Sequence, residues 1–566
     1  MRTYRPLALF ALTAGLAALL GDVTAAADPP AKLDKKALRL KLKAAAEAAA
    51  AKSAAPATPV VPVKVALGPV GPKDAAALAN VIDEQIAAKL AAGKVSASPV
   101  CSDEEFLRRA YLDLTGVIPP ADKAKAFLDG TDAAKRGKLI DELLDSPHFG
   151  RRLADIWQAK LMPRDSGNRF VLREPFYKWL EASFNSNLPW NQFVFDLVTA
   201  AGTVEDNPAT TYFLANRSVD KITDGVAQHF LGVQLACAQC HNHPFAEYKQ
   251  PEYWGMAEFF SKVRPDNPKN ANKGGDNSKI GVQEGPGRTK AKDFFPEAAK
   301  TVPAKFLSGP EAKVSAGQPY RPVLAQWMTT AENPYFARAM VNRTWALLFG
   351  SGFVNPIDDM HAGNPASHPE LLDALARNFA ANGFDVKYLY RSICNTRAYQ
   401  RTSQPAHGNQ NDDQLFSHMT VKVLSPEQLF DSLAQVAGAE KAGADKAAKA
   451  GGKRGPAGGR EGFVQFFLAG AEAANPTEYE AGIPQALRLM NSKYASNPNL
   501  FRQVVSPGDK PAVAVEKIYL AALSRRPTAA ETTRLTGYAA KAATPAEGYG
   551  DILWAVLNSS EFTMVR

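Results

Sequence analysis

The sequence predicts a mostly α-helical protein: two helical modules joined by an irregular connector with at most a few short strands. Three observations carry this. Apolar residues recur at spacings of three and four through most of 74–263 and 319–566. No stretch follows the strand–helix–strand rhythm of a parallel sheet, which argues against Rossmann and TIM-type enzymes. Between the helical stretches, 264–318 is rich in Asn, Lys, Gly and Pro (RPDNPKNANKGGDNSK), with short strands expected only near Ile280–Val282 and Lys305–Leu307.

Along the chain, residues 1–27 read as a secretory signal peptide. Arg2 and Arg5 precede the apolar run Leu7–Leu20, and Thr24-Ala25-Ala26-Ala27 supplies the small residues for cleavage after Ala27. The run is short for a bilayer span, which takes about 20 residues. The mature chain is therefore expected to be exported, periplasmic or extracellular, without a transmembrane span. Residues 28–73 are low complexity, Ala/Lys-rich and then Pro/Val-rich, and suit an extended tether.

From 74 to 263 the periodicity predicts helices over Ala75–Ala92, with Leu78, Val81, Ile82, Ile86 and Leu90 on one face, then Phe106–Leu114, Ala133–Leu144, Arg151–Leu161 and a long apolar helix Asp224–Cys240. Ser102-Asp103-Glu104-Glu105 reads as a capping box before Phe106. From 319 to 566 helices are predicted over Pro322–Thr330, Tyr335–Phe349, Pro369–Asn382, Val386–Asn395, Pro426–Val436, Ala512–Leu523, Ala529–Ala543 and Gly548–Asn558, with a low-complexity insert at 438–462. Tyr111-Leu112-Asp113-Leu114 with Pro119 is echoed by Tyr519-Leu520-Ala521-Ala522-Leu523 with Pro527. The later Leu144-Asp145-Ser146 and Leu557-Asn558-Ser559 also match, which reads as a duplicated helical hairpin or as convergence on common helix-end chemistry.

Charge and cysteine content narrow the function. The chain has 566 residues and a net charge of +9. Residues 1–27 carry +1, 28–75 carry +5 and the remainder only +3, so the basic character belongs to the leader and no nucleic-acid partner is expected. Four cysteines are too few for a disulfide scaffold.

The most specific motif is Cys237-Ala238-Gln239-Cys240-His241. C-x-x-C-H is the pattern of covalent c-type haem attachment. Two thiols about one turn apart reach the two vinyl groups, and the next residue presents an imidazole to the iron. Export strengthens this, because such haem is attached outside the cytoplasm. The same residues, with His243, could instead hold zinc or another metal ion, or the two thiols could form a disulfide. A sixth iron ligand would come from Met256, Met340, Met360, His361 or Met490. Tyr253, Trp254, Phe259, Phe260 and Phe245 could wall a haem pocket, and Pro244 would stop the helix and fix the ligands at its end. Asp358-Asp359-Met360-His361 resembles ligand material but is more often a solvated loop. Cys101 and Cys394 could pair in an oxidising compartment, or remain buried free thiols. No GxSxG, Walker A, HExxH or EF-hand pattern is present.

Beyond these motifs the chain resembles planctomycete exported proteins that join two domains of unknown function. The first, family 1549, called planctomycete cytochrome-type, is matched by Asp103–Gly116 (DEEFLRRAYLDLTG) and Phe230–Phe245 (FLGVQLACAQCHNHPF). The second, family 1553, is matched by Asn333–Trp345 (NPYFARAMVNRTW), Pro369–Asp373 and Gln485–Ser492. The resemblance implies an extracytoplasmic protein, often accompanied by cytochrome c domains, and no defined activity. It also implies an Asp after His-Pro-Phe, where this chain has Ala246, which weakens a metal reading that needs that Asp.

The leading function is thus an extracytoplasmic c-type cytochrome-like protein. One haem c would be held by Cys237, Cys240 and His241, with exported redox or surface proteins as partners. The alternative is a non-redox scaffold or binding protein whose Cys237, Cys240, His241 and His243 form a structural metal or disulfide site. A hydrolase of extracellular polymers is a weaker alternative, for want of a nucleophile motif.

Overall fold

Helix starts follow local capping chemistry. Asp74 accepts the Ala77 N–H at 2.9 Å and opens α1 (Ala75–Gly93). Ser102 accepts the Glu105 N–H at 3.3 Å and opens α2 (Asp103–Thr115). The other half of the expected capping box is not made. Glu105 turns its carboxylate to Arg109, the Thr402 hydroxyl and the Ser403 N–H instead. These features come from a computed structural model, which describes residues 74–163, 171–266, 276–285, 302–315, 317–438, 459–468, 483–491, 497 and 499–566. All of these lie in one compact unit, Leu67–Arg566. The signal peptide, the leader 28–73 and residues 439–458 of the insert lie outside the described residues.

The helices continue as α3 (Ala121–Asp129), α4 (Lys135–Asp145), α5 (Pro147–Leu161), α6 (Arg173–Asn185), α7 (Trp190–Thr199), α8 (Thr211–Asn216), α9 (Val219–Val226) and α10 (Gln250–Glu258). After the connector come α11 (Arg321–Met328), α12 (Phe336–Phe349), α13 (Pro369–Ala381), α14 (Val386–Cys394), α15 (Pro426–Val436), α16 (Arg460–Leu468), α17 (Ile483–Met490), α18 (Pro511–Leu523), α19 (Ala529–Ala539), α20 (Pro545–Leu557) and α21 (Ser560–Thr563). The protein is mostly α, as the periodicity predicts. Periodicity missed α3, α8, α10, α16 and α17, and also α6 and α7, whose Phe176, Trp179, Trp190 and Phe193 instead build a largely buried aromatic stack with Trp157 and Phe230.

Two small antiparallel sheets complete the described structure. Strand β3 (Gly281–Glu284) lies between β1 (Gly202–Thr203) and β2 (Val263–Asp266), with Gly202 opposite Val282 and Val263 opposite Glu284. This realises the strand expected near 280–282, whereas Lys305–Leu307 contributes only an isolated bridge to Glu311. Strands β4 (Lys422–Val423) and β5 (Met564–Val565) pair with Lys422 opposite Val565.

Apolar side chains gather into two cores. The first draws on Leu78 through Met419, from both sides of the connector, and adds Leu520. The second draws on Leu424 through Val565 and adds Leu112 and Ile118. Helix α2 touches both. Its buried Arg108 donates to the Ala522 and Phe562 carbonyls at 2.9 and 2.7 Å. Arg109, 1% exposed, donates to the carbonyls of Tyr399, Arg401 and Arg566 at 2.7–2.9 Å and to Glu105. Burial pushes Arg108 down to about 10.

The proposed duplication has a local counterpart. α2 ends in left-handed Gly116 and α18 in left-handed Ser524; Ser146 caps α5 and Ser559 caps α21. Cys101 and Cys394 are both buried free thiols rather than a disulfide. Burial raises the thiol pKa of each. No described helix is long and apolar enough to cross a membrane.

Candidate functional site

The expected helix Asp224–Cys240 is not one helix. α9 passes into a single π turn, Ala227–Leu231, and stops at Gly232, whose φ is +68°. Only glycine suits this position. Its backbone is left-handed, and a Cβ there would lie 3.2 Å from both Ala339 Cβ and Met360 Sδ. The carbonyls freed at the π turn are met by the buried Arg343 guanidinium, which donates to Gln228 and His229 at 3.4 and 3.3 Å and pairs with Asp358. Pro244 therefore terminates nothing; the helix has already ended twelve residues earlier.

The thiols ride on a separate short 3₁₀ turn, Ala236–Gln239. Leu235 and Ala238 anchor it in the core, while Cys237 and Cys240 are exposed free thiols. Its end is held by the Gln239 carbonyl, which accepts from Trp254 Nε1 and Gln250 Nε2, both at 3.1 Å. Asn242 Oδ1 accepts the Gln250 N–H at 3.1 Å, and the His243 N–H donates to the Tyr248 carbonyl at 2.8 Å. The motif is thus a rigidly staked surface turn, not a helix end.

The two imidazoles differ. His241 is exposed, and its Nδ1 lies 2.7 Å from the Asn242 carbonyl, so Nδ1 carries the proton and Nε2 keeps its lone pair free. In His243 the Nδ1 accepts the Phe245 and Ala246 N–H groups at 3.3 and 2.9 Å, which leaves the proton on Nε2. Burial, with His361 nearby, lowers its pKa.

Asp358-Asp359-Met360-His361 is not a solvated loop. Asp358 is the buried partner of Arg343, and Met360 donates its N–H to the Gly232 carbonyl at 2.9 Å. Tyr248 donates to the Met360 carbonyl at 3.2 Å. His361 accepts the Gly363 N–H on Nδ1 and faces Asp359 with Nε2. This segment from the second helical stretch therefore packs against the turn that leads to the thiols. Periodicity could not show this; the signals were Asp358 and the Arg343 of the NPYFARAMVNRTW run.

The expected pocket walls are placed differently. Tyr253, Trp254, Phe259 and Phe260 are packed in the first core, whereas Phe245 is 82% exposed beside the motif. Of the sixth-ligand candidates, Met256, Met340 and Met360 are buried, His361 has both ring nitrogens engaged, and Met490 is exposed on α17. Among the described residues no three His, Cys, Asp or Glu side chains are grouped to hold a metal ion. The donor set itself suits haem attachment: two accessible thiols and an imidazole with its outer nitrogen free.

Behind the turn, Asp220 and Asp224 stand one turn apart on α9, near Tyr212 and Tyr253. Burial, then the neighbouring Asp220, pushes Asp224 up to about 6.

Residues 81–265 match the family model PSCyt2, a protein of unknown function (DUF1549), and residues 320–454 match PSD1, a protein of unknown function (DUF1553). No curated protein and no solved structure matches the chain.

Proposed function

The chain joins a DUF1549 domain to a DUF1553 domain, and from that premise we propose that it is an exported, c-type cytochrome-like electron-transfer protein carrying one covalently attached haem. Cys237 and Cys240 form the thioethers and His241 is the proximal ligand. The observation that supports this most is the state of His241. Its Nδ1–H is taken by a backbone carbonyl, which fixes the ring and directs the free Nε2 outward beside two accessible thiols.

Haem held there supplies one-electron transfer. The chain's own residues do the rest. Gln250 and Trp254 stake the turn, Arg343 and Gly232 end the preceding helix, and the Asn242 carbonyl sets the His241 tautomer. With the expected aromatic walls buried in the core, the group is carried at the surface. That suits exchange of electrons with an exported redox partner, with Phe245 beside the contact. A tetrahedral ion is less well served, because the His243 lone pair already accepts two backbone N–H groups.

The test is expression in a host that matures c-type cytochromes. The expected result is a Soret band and one haem mass increment that survives denaturation, lost in Cys237→Ala and Cys240→Ala. His241→Ala should keep the increment and shift the Soret and visible bands, because the iron loses its imidazole ligand. Wild-type protein from that host with neither band nor increment would overturn the reading.

A further inference from the structure

Where the two cores meet, a cavity of about 870 Å³ opens between α2, α4, α15 and α18. That is within the roughly 300–1,000 Å³ range of small-molecule sites. Its floor is apolar, formed by Val117, Pro119, Leu143, Val436 and Leu520. Besides Thr115 and Ser146, four polar side chains line it: Tyr111 and His148 from the first core's helices, Gln435 and Gln503 from the second's. None of these four hydrogen-bonds through its side chain to another described residue. Tyr111 is only 7% exposed. Burial, with Glu142 and Asp122 nearby, pushes its pKa up to about 12 and keeps it a neutral donor.

The charged groups narrow the ligand. The three lysines that line the cavity are each paired: Lys123 with Glu142 at 2.7 Å, Lys517 with Asp509 at 2.7 Å, and Lys125 with Asp129. Asp122 lines the cavity with no ion-pair partner among the described residues. An anionic ligand would meet an unpaired carboxylate and no free cation. A ligand that only accepts hydrogen bonds, such as a quinone, would make no use of that carboxylate or of the amide oxygens. Hydroxyl groups both donate and accept, as do imidazoles and amides, and the C–H face of a sugar ring suits an aliphatic floor.

The geometry points to a binding site for a neutral saccharide of one or two rings, in which Asp122 accepts from ring hydroxyls and Tyr111, His148, Gln435 and Gln503 complete the hydrogen bonding. This goes beyond the electron-transfer reading and does not rest on it. Calorimetric titration of the full exported chain with cellobiose, maltose and N,N′-diacetylchitobiose tests it, with glucuronate and a short-chain quinone as competing chemistries. At least one neutral disaccharide should bind, and Tyr111→Phe and Asp122→Asn should each weaken it by about 5- to 10-fold, the loss of roughly one hydrogen bond. Should Tyr111→Phe fail to fold, the exposed Gln503→Ala replaces it with the same expectation. Absence of neutral-saccharide binding at about 10 mM, tighter binding of glucuronate or quinone, or binding unchanged in the folded variants would overturn the proposal.

Discussion

Two segments of the first family domain carry its densest motifs, and they are used in opposite ways. Helix α2 holds DEEFLRRAYLDLTG with Arg108, Arg109 and Asp113 buried and every Arg109 nitrogen donating to a carbonyl or to Glu105. The turn at 236–243 holds its reactive groups exposed, with two thiols and one imidazole nitrogen unused. The first segment joins parts of the chain 290–457 residues apart in sequence. The second is held by its neighbours so that its own groups stay available. A motif full of ionisable residues is therefore spent on the fold when its donors end inside the protein, and leaves its groups available when they do not.

The contrast can be broken or sharpened by four substitutions. Arg109→Leu should cost most, about 3–5 kcal/mol, because it strands three buried carbonyls and Glu105. Denaturant unfolding reads this, and a loss under 1 kcal/mol would mean that α2 does not join the cores as described. Gly232→Ala should cost about 2–3 kcal/mol, from a left-handed backbone and close contacts with Ala339 and Met360. It should also lower haem incorporation, since it shifts the turn; normal stability with normal incorporation would show the helix end to be tolerant.

Asp224→Asn should move stability the other way, by about 1–2 kcal/mol, and only above mildly acidic pH. The folded carboxyl sits near 6, above its ordinary value of 3.8. Between those values the native state binds the extra proton, so wild-type stability falls as pH rises through the window and stays lowered above it. The variant should be more stable than wild type at pH 8 and equal to it at pH 3; equal curves at both would place Asp224 outside the buried environment. Cys240→Ser should change stability least, by under about 0.5 kcal/mol, while abolishing covalent attachment. A large destabilisation there would make the thiol a structural group after all.

Much of the helical frame was legible in the residues. Ser425-Pro426 with Gln428 makes a complete capping box and starts α15 where the sequence places it. α13 and α14 likewise begin at Pro369 and Val386, as predicted. The CxxCH motif and the two family segments were also readable, because they are contiguous. The aromatic α6 and α7 were not, since their apolar residues fill a stack rather than one stripe.

The sequence by itself determined many of the helical stretches, where most of those begin, and where the CxxCH motif lies, because caps, periodicity and a five-residue motif act over one or two turns of chain. Tertiary structure alone decided where α9 stops, that Arg343 and the Asp358–His361 segment support the turn, and that the expected haem walls belong to the core. It also decided that the cores divide near residue 420 rather than at the connector. Those outcomes rest on contacts between residues a hundred or more positions apart, such as Gly232 against Ala339 and Met360, and on the competition of every apolar face for one interior. No local pattern in the chain records how that competition ends.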